Sequence, residues 1–344
     1  MKLKVLFVGP KYMNLYKDVI GAMERKGYGV DFLPEKTFKD DPYNVRGYSR
    51  FSKIFVNRKK FARKLDCYWT KLLNSSDYDK RYDYVFVLDG QSISSVFFDT
   101  LKKRNARVKF VNYLFDTTSG VYHFEKNFIF FDRVFTFDVT ESQKYNIGFL
   151  PIYWMDNEET LVYRYNIFGL GAIKNERYAL FSRIERIAKK NNLSYYLKLY
   201  NFVKVKNAFF YRFRCCLYSL LRLKNIVSLQ AIQSPFATTE SVPPRDFRKY
   251  IAGADIVIDT SAPNQDGLTA RFMWSIGLGK KVLTTNSNVK QYDFFDEKQI
   301  LVIDEKTKDD EIESFFLSEF SNAEKNKNRL LAYRIDNWLE TLLG

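Results

Sequence analysis

Residues 255–286 read DIVIDTSAPNQDGLTARFMWSIGLGKKVLTTN, and this order of residue types decides the fold. Ile256, Val257 and Ile258 form a short apolar run between Asp255 and Asp259, the pattern of a parallel strand buried on both faces. Residues 260–267 hold Pro263, Asn264 and Gly267 and offer little to a core, so they read as a turn. Thr269 then opens a helical pattern with Phe272, Met273, Ile276 and Leu278 inward. Gly277 and Gly279 loosen it before Lys280-Lys281 lead into a second apolar strand, Val282-Leu283. In such a unit the helix starts at the carboxyl edge of the sheet, where its first-turn amides lack intrahelical partners and suit an anion. Gly267 permits close backbone approach, Thr269 offers a hydroxyl, and Arg271 brings a guanidinium fork suited to a diphosphate. A plain crossover helix with Arg271 on its solvated face fits the same spacing.

Outward from this unit, 344 residues suffice for two domains. A net charge of +15 calls for an anionic partner: nucleic acid, an anionic membrane surface, or phosphorylated or acidic substrates. No apolar run has the length of a membrane span. The opening MKLKVLFVGPKY is too short in its apolar part for a signal peptide, so a cytoplasmic address is expected. Cys67 stands alone, and the adjacent Cys215 and Cys216 lack zinc or redox spacing. A single histidine, His123, leaves little scope for triads or histidine-rich metal sites.

Along the chain, residues 3–8, 30–33, 84–88, 108–114 and 133–137 read as buried strands, with a helix at 16–25 between the first pair. This βαβ grammar predicts a Rossmann-like amino-terminal domain without the full G-x-G-x-x-G. Three of the strands end near an acid, Asp89, Asp116 or Asp138, each a candidate for one active rim or for a helix N-cap. Asp138, in FDVTESQKY, reads as a cap. Asp116 is the first candidate base, with Asp89 and then His123 behind it; His123 also reads as a surface residue between aromatic neighbours. Residues 46–73 interleave cations with aromatics, as in an amphipathic helix that packs on the domain or meets anionic lipid. Residues 209–224 mix arginines with bulky apolar side chains, where the ordinary reading is a core helix with snorkelling arginines and the alternative a membrane-docking face. A second βα series starts at 165–168, with a helix over 177–189, and helices over 309–320 and 329–343 close the chain.

Gln265, Gly267, Leu268, Thr269, Arg271, Gly277, Gly279, Lys280, Lys281, Thr284, Thr285 and Asn286 together resemble the nucleotide-sugar half of GT-B glycosyltransferases of bacterial lipopolysaccharide and capsule synthesis, the CgeB-like and lipopolysaccharide-core group. The resemblance is dense over the carboxyl-terminal third and thin elsewhere. It implies an α/β fold of two Rossmann-like domains, their parallel sheets facing a central cleft. Residues 1–155 would be the acceptor side, 156–325 the donor side, and 326–344 a helix returning toward the amino-terminal domain. FLPIYW at 149–154 resembles the element that closes that first domain, with an interdomain linker at 155–161. On the donor side the resemblance implies Gly169, Arg177, Gln265, Gly267, Leu268, Thr269, Arg271, Asn286 and Lys290, with Lys281 as a further helper. One departure stands out: Trp274 occupies a helix position where many members have an acid that holds the donor's hydroxyls.

The sequence is therefore read as a glycosyltransferase that moves a sugar from a nucleotide-sugar donor to a saccharide or lipid-linked acceptor. It is expected to need no metal ion or other cofactor, and to work in the cytoplasm at the inner face of the membrane. Helix-start amides and Arg271 would hold the leaving diphosphate. Two other classes fit the same charge: a glycosyltransferase-shaped assembly protein without turnover, and a basic nucleic-acid-binding protein. No nucleic-acid-binding module is recognisable, so nucleic acid is not the expected partner.

Overall fold

The computed structural model describes residues 2–11, 15–36, 38, 58–118, 124–156, 164–201, 208–220, 227–240, 242, 244–261, 266–320 and 328–344. His123, Gln265, residues 46–57 of the basic stretch and most of the proposed linker lie outside the described residues. Two compact units divide the chain: Met1–Tyr153 with Gln265–Leu268 and Leu331–Gly344, and Trp154–Asn264 with Thr269–Leu330.

The first unit is built on β1 (Lys4–Gly9), β2 (Gly29–Pro34), β3 (Tyr84–Leu88), β4 (Lys109–Leu114), β5 (Arg133–Thr136) and β6 (Gly148–Phe149). They form one sheet in the order β2-β1-β3-β4-β5-β6, parallel throughout. Side chains alternate between its faces, as strand periodicity requires. Leu6, Val8, Val85, Val87 and Phe110 pack with α2 (Arg58–Leu73) and α3 (Ser95–Arg104), where Trp69 and Phe97 lie 4.8 Å apart. Phe7 and Phe86 face the other way, toward α1 (Leu15–Arg25) and the helix at Ile335–Leu343. That last helix is anchored by Trp338, fully buried against Phe86, Tyr113 and Tyr153. Such ring pairs add about 0.5–1.5 kcal/mol each beyond area burial. Between β4 and the end of the unit lie the short α4 (Phe124–Asn127) and α5 (Val139–Tyr145).

The second unit carries β7 (Tyr165–Ala172), β8 (Tyr195–Tyr200), β9 (Ala237–Thr238), β10 (Ala254–Asp259), β11 (Lys281–Thr284) and β12 (Ile300–Val302). Their order is β12-β11-β10-β7-β8-β9, again all parallel. Ile167, Ile256, Ile258 and Leu283 pack with Phe181 and Ile184 of α6 (Asn175–Lys190) and, near the carboxyl end, with Ile312 and Phe315. Phe168 meets Phe247 and Tyr250 on the other side. The short apolar runs of the sequence become strands because strands buried on both faces need no polar alternation. The helices there are α7 (Ala208–Leu220), α8 (Leu229–Ile232), α9 (Pro244–Ala252), α10 (Ala270–Gly277) and α11 (Asp309–Leu317), and Ile335–Leu343 is α12. Among the described residues no helix is long and apolar enough to cross a membrane.

One expectation fails here. The helix within residues 209–224 is not a core helix: Phe209, Phe210 and Phe213 are all more than half exposed, and Tyr211 is the buried residue.

Candidate functional site

In the second sheet β7 and β10 are neighbours, yet the chain leaves β7 toward β8 and leaves β10 toward β11. This reversal is the topological switch point, and in open α/β sheets ligands bind outside the carboxyl ends of the strands at such a point. Arg177, in the first turn of α6, reaches back to it. Its Nε donates to Thr260 Oγ1 at 2.7 Å, Nη1 to the Ala172 carbonyl at 3.0 Å and Nη2 to the Thr260 carbonyl at 3.3 Å. Gly171 makes the room: a Cβ there would lie 3.0 Å from Nη1 of Arg177.

Arg271, in the first turn of α10, comes to the same place from the other strand. Its Nη1 donates to the carbonyls of Leu170 and Ile258, and its Nε lies 3.4 Å from Asp259 Oδ1 without a hydrogen bond to it. Asp259 is 1% exposed and accepts from Thr269 Oγ1 at 2.7 Å and from Thr284 Oγ1 at 3.3 Å. Arg271 thus lies against the buried carboxylate of Asp259, while Arg177 is bonded to Thr260, the next residue, and feels the Asp259 charge without touching it. Burial, then the neighbouring Arg271 charge, pull Arg177 below its ordinary value. The hydroxyl of Ser261, also buried, has no hydrogen-bond partner among the described residues. Excess buried positive charge with spare donors has one natural complement, an anion with several oxygens.

The other donor-side residues stand differently. Of the amides expected open at the start of α10, that of Phe272 is closed by a side chain. Thr269 is the N-cap, its hydroxyl accepting from Phe272 N at 3.1 Å while donating to Asp259. Upstream, in the first unit, the amides of Asp266 and Gly267 both donate to Asp138 Oδ2 at 3.1 Å. Gly267 is small because Phe137 lies against it, a Cβ there falling 2.5 Å from the Phe137 ring. Gly169 lies inside β7, not at its end, and its missing side chain makes way for Leu197 and Phe181. Leu268 is core. Asn286 caps the 3-10 turn Ser287–Gln291, accepting from Asn288 N at 3.0 Å, and Lys290 is exposed on that turn. Lys281 begins β11, at the opposite edge of the sheet, where its Nζ donates to Phe315 and Ser318 carbonyls behind α11. Trp274 is buried between Phe247 and Arg248, so that position offers no carboxylate and no exposed surface.

In the first unit the acids gather after β3, β4 and β5. Asp89, in the left-handed region at φ 63°, accepts from the amides of Phe115 and Asp116 at 2.7 and 3.1 Å through one oxygen. It pins the loop that carries Asp116. Asp116 Oδ1 in turn accepts from Thr117 N at 2.9 Å. Asp138 caps α5 as its sequence indicates, accepting from Glu141 N at 3.0 Å. The residue that sequence reading missed is Glu141. It accepts from Thr118 N at 2.6 Å and Thr118 Oγ1 at 2.7 Å, while its Oε2 is buried with no hydrogen-bond partner among the described residues. Burial pushes its pKa up against the lowering bonds from Thr118. Its signal was present in the sequence: an acid three residues after a cap points back over the strand end.

No family model matches the chain, and no curated protein is similar to it in sequence. Among solved structures it is similar to an α,α-trehalose-phosphate synthase (UDP-forming) from Burkholderia xenovorans in complex with glucose-6-phosphate. The TM-score is 0.59 at 12% identity over 98% of both chains. The corresponding enzyme from Burkholderia vietnamiensis gives 0.58 at 10% identity, covering 99% of this chain and 96% of that one. AviGT4, a glycosyltransferase involved in avilamycin A biosynthesis, gives 0.53 at 11% identity, covering 98% and 95%. The fold is GT-B. The narrower CgeB-like and lipopolysaccharide-core grouping rests on the motif resemblance alone.

Proposed function

We propose that the chain is a glycosyltransferase that moves a sugar from a nucleotide-sugar donor to a saccharide or lipid-linked acceptor, in the synthesis of a bacterial surface polysaccharide. The observation that supports the donor half is the convergence of Arg177 and Arg271 at the β7/β10 switch point, the first bonded to Thr260 and the second beside Asp259. In the reaction the acceptor oxygen bonds to the anomeric carbon, the bond from that carbon to the donor diphosphate breaks, and the nucleoside diphosphate leaves with the electron pair. Fixed guanidinium groups placed beforehand stabilise that developing charge without reorganising, so the leaving group needs no metal ion. The acceptor's proton goes to Asp116 if the transfer inverts configuration, because Asp89 is committed to holding its loop, and to the departing phosphate oxygen if it retains.

The test is nucleotide release from a panel of UDP-, GDP-, dTDP- and CMP-sugars with saccharide acceptors. One donor is expected to turn over, and Arg271→Lys is expected to lower kcat/KM by about 100-fold, the effect of losing one preorganised donor. The burial of Trp274 favours a second reading, a glycosyltransferase-shaped partner without turnover. Release from no donor would establish that reading instead.

A further inference from the structure

Helix α7 carries large apolar side chains on a surface that ought to be polar. Phe209, Phe210 and Phe213 are 75%, 68% and 63% exposed, and Leu217 is exposed as well. The spacing of Phe209, Phe213 and Leu217 puts them in one stripe along the helix, with Phe210 beside it. The helix is not loosely attached on its other side, for Tyr211 is buried and its hydroxyl donates to the Val227 carbonyl at 2.8 Å. That anchor keeps the phenylalanines outward.

Charge identifies what covers this stripe. No Asp or Glu occurs between Glu185 and Glu240, while Arg212 and Arg214 lie in the helix and Lys204, Lys206, Arg222 and Lys224 flank it in sequence. Arg212 is exposed beside the apolar stripe. A second copy of the chain would bring the same cations against these, a repulsive pairing. An anionic bilayer supplies both needs at once: headgroups for the cations and an acyl boundary for the rings. We infer that α7 is a membrane-docking helix that lies in the interface of an anionic lipid bilayer, with Phe210 and Phe213 inserted. This reading does not depend on the donor site, and it stands or falls apart from sugar transfer.

The experiment is co-sedimentation of the full chain with vesicles of phosphatidylcholine alone and of phosphatidylcholine mixed with phosphatidylglycerol. Partition is expected only into the anionic vesicles. It should fall about tenfold or more in Phe210→Ser/Phe213→Ser, the scale of losing two partly buried rings. It should also weaken when salt rises from about 0.1 to about 1 M, which shortens screening from about 10 to 3 Å. Because both positions are exposed, the double variant should keep the wild-type Tm. A second readout uses Phe213→Trp. The native Trp69, Trp154, Trp274 and Trp338 are all buried, so a blue shift of the new fluorescence on anionic vesicles reports insertion. No partition into anionic vesicles, or partition unchanged in the double variant, overturns the inference. So does binding of an oligonucleotide, or self-association lost in the double variant, without any vesicle partition.

Discussion

Asp138 does two jobs with two oxygens: Oδ1 caps α5, and Oδ2 collects the amides of Asp266 and Gly267. Removing it leaves a helix start and buried amides unsatisfied together. Asp138→Ala is therefore expected to cost about 2–4 kcal/mol in urea unfolding, the sum of a lost cap and a desolvated donor. A cost near zero would show that water replaces the carboxylate. Glu141, three residues on, gives a pH signature. Burial raises its folded pKa above the ordinary glutamate value of 4.5. The folded state thus holds the proton more tightly than the unfolded chain does. Its contribution to stability is present in full below about pH 4.5 and is lost as pH rises through the raised folded value. Glu141→Gln should accordingly have the higher Tm at neutral pH, with the gap closing toward pH 4.5. A gap independent of pH would contradict the assignment. Asp138 was legible as a cap because Asp before a helical run accepts first-turn amides wherever it stands. Its second role was not, since it joins residues 128 or more positions apart, which no local pattern encodes.

At the scale of elements, α12 decides whether the first unit holds. Trp338 is its central side chain, between the rings of Phe86, Tyr113 and Tyr153. Trp338→Ala should destabilise by about 3–5 kcal/mol, checked by chemical unfolding followed through far-UV circular dichroism. Strands such as Leu6–Val8 and Ile256–Ile258 were readable because burial on both faces forces an unbroken apolar run. Helix α7 was misread because its composition is that of a core helix, and periodicity gives the width of an apolar face but not what lies against it. The start of α10 was misread for a related reason: a Thr that offers its hydroxyl to a ligand and a Thr that caps its own helix look identical in sequence.

Across the whole chain, each unit is built on its own parallel six-stranded sheet, and the two sheets differ in strand order. In the second sheet, arginines distant in sequence meet because the switch point brings the ends of β7 and β10 side by side. Arg271 was legible from the motif it sits in. The neighbouring Arg177 was suggested by resemblance, and Asp259, the carboxylate beside Arg271, was not singled out at all, being seen as the flank of a strand. Arg177 and Arg271 are expected together to hold the diphosphate of a nucleotide donor. Thermal unfolding of the full chain with UDP, GDP and dTDP tests it most directly, using Arg177→Gln, Arg271→Gln and, as control, Arg183→Gln, whose partner is Asp309 on α11. One nucleoside diphosphate should protect the wild type and the control, by about 2.7 kcal/mol when present at 100 times Kd, and should protect neither of the other two variants. Protection that survives both substitutions, or no protection by any of the three, would contradict it.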